Sequence, residues 1–141
     1  MIYATEQDIV DAFGEEEFIQ LTNLEAPAAI AINSTVLGKA LTNASAEIDA
    51  YLQGRYVLPP TTVPTVLIQI CCDIVRYRLD KNRLREDVRQ RFEDAIAFLK
   101  NVAKGVVNLG LDENNQSVET SGTVNFTTKE RIFTSETLRS Y

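Results

Sequence analysis

Val66-Leu67-Ile68-Gln69-Ile70-Cys71-Cys72-Asp73-Ile74-Val75 is the stretch whose reading decides the fold. Apolar side chains occupy almost every face of a helix drawn through it, and a helix that is apolar all round is a central one. Pro64 lies just upstream and suits a first helical turn, where its missing N–H is not needed. At the other end the chain turns polar at Arg76, so that end is expected to reach solvent. A loop is expected near Asp80-Lys81-Asn82.

Working outward, Leu84, Val88, Phe92, Ala95, Ile96, Leu99, Val102 and Ala103 recur at helical spacing, with Arg85, Glu86, Arg89, Glu93 and Asp94 off the stripe. Gly105 is placed to cap that helix. Upstream, Asn33-Ser34-Thr35 offers N-caps for an amphipathic helix carrying Leu37, Leu41, Ala44, Ile48 and Tyr51 or Leu52. Gly54 stops it, and Arg55-Tyr56-Val57-Leu58-Pro59-Pro60 cannot be helical because of its prolines. Thr5-Glu6-Gln7-Asp8 reads as another helix start, with Ile9, Val10 and Phe13 on one face. Gly14 ends it, and Glu15 to Leu21 form a second short turn. Residues 22–33 are a connector whose Ala-rich part is ambiguous by pattern alone. Leu41, Ile48, Ile70, Ile74, Phe92, Ile96 and Leu99 are expected to pack together.

The fold class is therefore mainly α. Residues 1–111 form a compact bundle of about four helices, and residues 112–141 form a flexible C-terminal tail. The tail is polar and small up to Thr123, then shows a short strand signal at Val124-Asn125-Phe126-Thr127. Ile132, Phe133 and Leu138 add apolar anchors, too few for a second core.

The chain has 141 residues, enough for one domain with a real core. No run of 18 or more apolar residues exists to span a membrane, and the N-terminus lacks the basic and apolar regions of a signal peptide. The chain is expected to stay in the cytoplasm where it is made, unless packed into a particle. It contains no histidine, which removes Ser–His catalysis and the commonest metal ligand. Its two cysteines are adjacent and cannot staple distant segments, so they read as reduced, buried thiols. No glycine spacing matches a phosphate loop, and no pair of carboxylates stands out for acid–base work. No enzyme activity, metal, cofactor or small-molecule substrate is implied.

Charge is unevenly placed. Residues 1–33 hold seven carboxylates, Glu15, Glu16 and Glu17 among them, and no lysine or arginine. Residues 76–91 hold Arg76, Arg78, Lys81, Arg83, Arg85, Arg89 and Arg91 against three carboxylates. An acidic end and a basic middle attract each other, within one chain or between copies. Phosphate binding by the arginines is the lesser reading, because the chain as a whole is acidic, with a net charge of −6, and carboxylates interleave the arginines. The greater reading is a protein–protein contact with an acidic partner, such as the N-terminal region of another copy. The candidate contacts are Glu15, Glu16, Glu17, Arg55, Arg76, Arg83, Arg85, Arg89, Phe126, Arg131 and Phe133. Tyr56 is expected to pack beneath its turn, with Arg55 pairing to Asp49 or Glu47.

Several stretches together resemble a family of Mu-like prophage proteins. They are Tyr3-Ala4-Thr5-Glu6-Gln7-Asp8-Ile9, Phe13-Gly14-Glu15, Ala40-Leu41-Thr42-Asn43-Ala44-Ser45-Ala46-Glu47-Ile48-Asp49-Ala50-Tyr51-Leu52, Arg55-Tyr56-Val57-Leu58-Pro59 and Phe92-Glu93-Asp94-Ala95-Ile96-Ala97-Phe98-Leu99. The tail, Arg131-Ile132-Phe133-Thr134-Ser135-Glu136-Thr137-Leu138, is similar to that family's C-terminus. Residues 24–33 depart from it, carrying Ala and Ile where polar residues are usual. That family is in turn similar in size and helix order to the head-completion or head–tail connector (neck) proteins of other tailed phages. The resemblance implies a structural role in the virion neck, as a ring of copies beneath the portal. It implies the portal and tail-completion proteins as partners, and no catalytic residues. The competing expectation is a small helical regulatory or nucleic-acid-binding protein using residues 76–91.

Deleting residues 119–141 is expected to leave the urea unfolding midpoint of the helical domain nearly unchanged, because a polar linker offers little to offset an ordering cost of about 1–2 kcal/mol per residue. A large fall in the midpoint would show that the tail is part of the core.

Overall fold

The structure is a computed structural model, and it describes residues 1–81 and 85–113. Within them lie five helices: α1 (Glu6–Phe13), α2 (Glu15–Thr22), α3 (Ser34–Leu52), α4 (Thr65–Leu79) and α5 (Glu86–Ala103). The short turn expected after Gly14 is a helix of its own. Gly14 ends α1 and starts α2 at a φ of 93°, a conformation open to glycine, and its N–H bonds to Val10 O at 2.8 Å. Thr5 and Asp8 cap α1 reciprocally, and the Asn33 side chain accepts from the amides of Thr35 and Val36 at the start of α3.

α4 is the hub. It packs against α1, α3 and α5, and its side chains Leu67, Cys71, Ile74 and Val75 are fully buried. Leu41, Ile48, Ile70, Ile74 and Leu99 join one core as expected. Phe92 and Ile96 are half-buried and pack on its edge, where the Phe92 ring stacks on Tyr77 at 3.9 Å between centroids. Cys71 and Cys72 are buried and free, with Cys71 Sγ 3.8 Å from Ser45 Oγ. Burial pushes both thiols up, Cys72 to about 12. Every buried side-chain nitrogen and oxygen among the described residues has a hydrogen-bond partner.

The C-terminal end of α4 meets the expectation of a solvent-facing end on one side only, where Arg78 and Lys81 are exposed. Arg76, Leu79 and Asp80 are all under 9% exposed, because α2 and the start of α5 close over them. Polarity in sequence marked two different things there: Arg76 enters a largely buried ion pair, whereas Arg78 on the other side of the helix is exposed.

α5 ends as its glycine requires. Gly105 has a φ of 81°, its N–H bonds to Val102 O, and the Val106 N–H bonds to Asn101 O. This pair of bonds satisfies two of the last helical carbonyls. The chain then returns to the turn after α3, where Val57 N–H bonds to Asp112 O and Tyr56 pairs with Glu113 as an isolated antiparallel bridge. Asp112 and Glu113, grouped with the tail by composition, are thus tied to residues 55–57. The expected strand and flexibility of the remaining tail fall outside the described residues. No helix among the described residues is long and apolar enough to cross a membrane.

Replacing the fully buried Ile74 by Ala is expected to cost roughly 2–5 kcal/mol in urea unfolding, the range for deleting a large aliphatic side chain from a core. A loss below about 0.5 kcal/mol, the level of a surface change, would mean that α4 is not the hub.

Candidate functional site

Three successive carboxylates open α2, and on a helix neighbouring side chains point about 100° apart. Glu15 and Glu16 are accordingly exposed, near the helix N-terminus whose unpaired amides favour negative charge. Glu17 turns inward. Its Oε1 accepts from Arg76 Nε at 2.8 Å and its Oε2 from Arg76 Nη2 at 3.2 Å, a two-pronged pairing. Glu17 Oε1 also accepts from Arg85 Nη2. Arg85 Nε reaches back to Asp80 Oδ2 at 3.2 Å, and Arg76 Nη1 lies 3.7 Å from Asp87. The Arg76 guanidinium also sits 4.5 Å above the Phe13 ring. Residues of α1, α2, α4 and the lead-in to α5 therefore meet in one charged seam.

The seam sets the protonation of its acid. Burial alone pushes Glu17 up, but the hydrogen bonds and charges of Arg76 and Arg85 outweigh it and hold the carboxyl below its ordinary value. Asp73 goes the other way. Burial raises it, and Arg91, 3.6 Å away, opposes that only in part.

The rest of the basic segment is paired as well. Arg78 meets Glu47, and Arg89 meets Glu86 and Glu93. Each described arginine of the segment thus has a carboxylate of its own chain beside it, which weighs against a surface laid out for phosphates. The acidic end and the basic middle do meet, and within one chain. Arg83, Phe126, Arg131 and Phe133 lie outside the described residues. Among the described residues no group of three His, Cys, Asp or Glu is placed to hold a metal ion.

Arg55 has a different task from the one expected. It reaches neither Asp49, which accepts from Tyr3 Oη at 2.5 Å, nor Glu47, which pairs with Arg78. Its Nη1 donates to the carbonyls of Val102 at 3.0 Å and Val107 at 2.7 Å, and its Nη2 donates to Glu113 Oε1 at 3.0 Å. It therefore clamps the end of α5 and the returning chain to the turn after α3. Tyr56 is fully buried beneath that turn as expected, and its Oη accepts from Leu109 N–H at 3.0 Å.

Sequence reasoning missed Tyr3. It is 3% exposed, its N–H donates to Ser45 Oγ at 3.1 Å, and its hydroxyl donates to Asp49, so the residues before α1 strap across α3. Burial first, then that hydrogen bond, raises its phenol well above the ordinary range. A lone tyrosine ahead of a helix cap carries no periodic signal.

Comparison with known proteins gives concordant matches. The profile of the family described as Bacteriophage Mu, Gp36 matches residues 3–128. The Mu-like prophage FluMu protein gp36 of Haemophilus influenzae is 41% identical over 119 residues, covering 84% of this chain and 83% of that protein. Gene product J of Escherichia phage Mu is 31% identical over 112 residues, 79% of each chain.

Because the folded value of Glu17 is depressed, its contribution to stability is full above the ordinary glutamate value of 4.5 and is lost as pH falls through the folded value. Arg76→Ala is expected to cost about 2–3 kcal/mol near neutral pH, less than a fully buried pair because Glu17 keeps some exposure. In Glu17→Gln the acid limb of a urea midpoint-versus-pH curve should flatten. Identical acid limbs in Glu17→Gln and the parent chain would remove the seam from the stability of the fold.

Proposed function

This chain belongs to the bacteriophage Mu Gp36 family, and on that premise we propose that it is a structural head–tail connector of a tailed phage or prophage. It would act without catalytic chemistry, as a ring of copies in the virion neck, after synthesis in the host cytoplasm. The partners in this reading are other copies of the chain, the portal above and the tail-completion proteins below.

The observation that carries the reading is the extent of the family match. It takes in the helical body and continues past Glu113 through the Val124-Asn125-Phe126-Thr127 stretch. A helical body followed in sequence by a segment bearing Val124 and Phe126 suits a ring subunit, since a segment of that pattern could pair with a neighbouring copy. The resemblance in size and helix order to neck proteins of other tailed phages points the same way. The regulatory or nucleic-acid reading gains nothing from the fold, because the described arginines of residues 76–91 already have carboxylate partners.

Disrupting the gene in an inducible phage or prophage is expected to yield filled heads and complete tails that do not join, and a plasmid copy should restore joining. Gold label on a tagged copy should sit at the neck in electron micrographs. Normal infectious particles from the disrupted phage, or label confined to lysate protein outside the particle, would sink the reading.

A further inference from the structure

The first 22 residues form an arm that packs on the rest of the chain through one apolar face and a few polar latches. Tyr3, Ile9 and Phe18 are its large buried side chains, and Phe13 lies under Arg76. Its polar latches are Tyr3 to Ser45 and Asp49, Glu17 to Arg76 and Arg85, and Glu6 to Ser34 at 3.2 Å. All the body partners of these latches lie on α3, on α4 or just ahead of α5.

Residues 23–33, which join arm to body, contain no helix or strand. Their folded path is held by local bonds: the Asn23 side-chain amide donates to the carbonyls of Ile19 and Ala31, and Asn33 N–H donates to Thr22 Oγ1. The stretch leaves Leu24 47% exposed and Ile30 92% exposed, so the fold of one copy finds no place for its two largest apolar side chains bar Ile32. Drawn out, it spans about 36 Å, at roughly 3.3 Å per residue, comparable to the width of a small domain.

The ion pairing decides how two copies can use this charge pattern. Arg76, Arg78, Arg85, Arg89 and Arg91 each have a carboxylate of their own chain. An acidic arm arriving from a second copy would meet no unpaired guanidinium among the described residues of this segment. It can reach Arg76 and Arg85 only by taking the place of the resident arm. Exchange retains every arm–body contact and changes only the path of the connector. It also joins two different patches head to tail, so each copy gives one arm and receives one, as a closed ring requires.

We propose that in the assembled state residues 1–22 leave their own body and seat on the body of the neighbouring copy, through the same Glu17–Arg76–Arg85 seam that closes the single chain. The inference rests on the ring reading above. In it, the connector runs between two subunits, and Leu24 and Ile30 lie at the subunit boundary.

A chain carrying Glu6→Cys and Ser34→Cys tests this in particles, after it has been shown to support joining. The two positions are exposed and touch across the arm–body contact, whereas Cys71 and Cys72 are buried. Treatment of purified particles with a short thiol–thiol crosslinker should shift most of the chain from the monomer band to a ladder of covalent multimers on a denaturing gel. The same variant as a dilute monomer should link only within the chain. A Glu17→Cys, Arg76→Cys chain, treated with the same kind of crosslinker, provides a second pair across the seam. Efficient linkage within single chains in particles, with no ladder from either pair, would overturn exchange and leave the ring reading standing. Absence of the chain from the particle neck would overturn both.

Discussion

Arg76 is a charge near the end of the central helix α4, and the described fold is arranged to answer it. Ionic groups reach a nearly dry position only if a counter-charge and hydrogen bonds come with them. Glu17 supplies both, and to do so α2 must lie against the end of α4. That placement brings Phe13 beneath the guanidinium, sets α1 on the bundle and draws Arg85, with the start of α5, to the same point. One buried arginine thus fixes the relation of four helices that apolar packing alone would hold less specifically.

Much of this was legible in the sequence because it is written in periodicity and punctuation. The continuous apolar run of α4 announces a hub. The stripes of α3 and α5 announce the two helices beside it. Gly14, Gly54 and Gly105 fall at or beside the places where the chain stops being helical. The charge asymmetry between the first thirty-odd residues and the Arg-rich segment was visible as well, and it foretold that the two would attract.

What was not legible depends on side-chain reach across long separations. Arg76 and Arg78 read alike in sequence, yet one is buried at a seam and the other is half-exposed beside Glu47. Arg55 was assigned a carboxylate on the preceding helix, whereas its donors serve backbone carbonyls some fifty residues later. Carbonyls freed at the end of a helix are strong acceptors that no side-chain pattern records. Tyr3 escaped for a related reason, since its partners, Ser45 and Asp49, are single polar residues on the inner edge of α3. The choice between a contact within one chain and the same contact between copies is not a property of pattern at all. It depends on the connector, whose composition is the least informative in the chain.

The adjacent thiols at the centre of α4 have a consequence of their own. They are the chain's only cysteines, they are sealed off from water, and burial keeps them protonated far above neutral pH. Reagents that need a thiolate can therefore act only when the bundle breathes open. The pace at which the unaltered protein takes up such a reagent is a clock for those openings. It requires no added label, and it reads the opening of the hub helix itself.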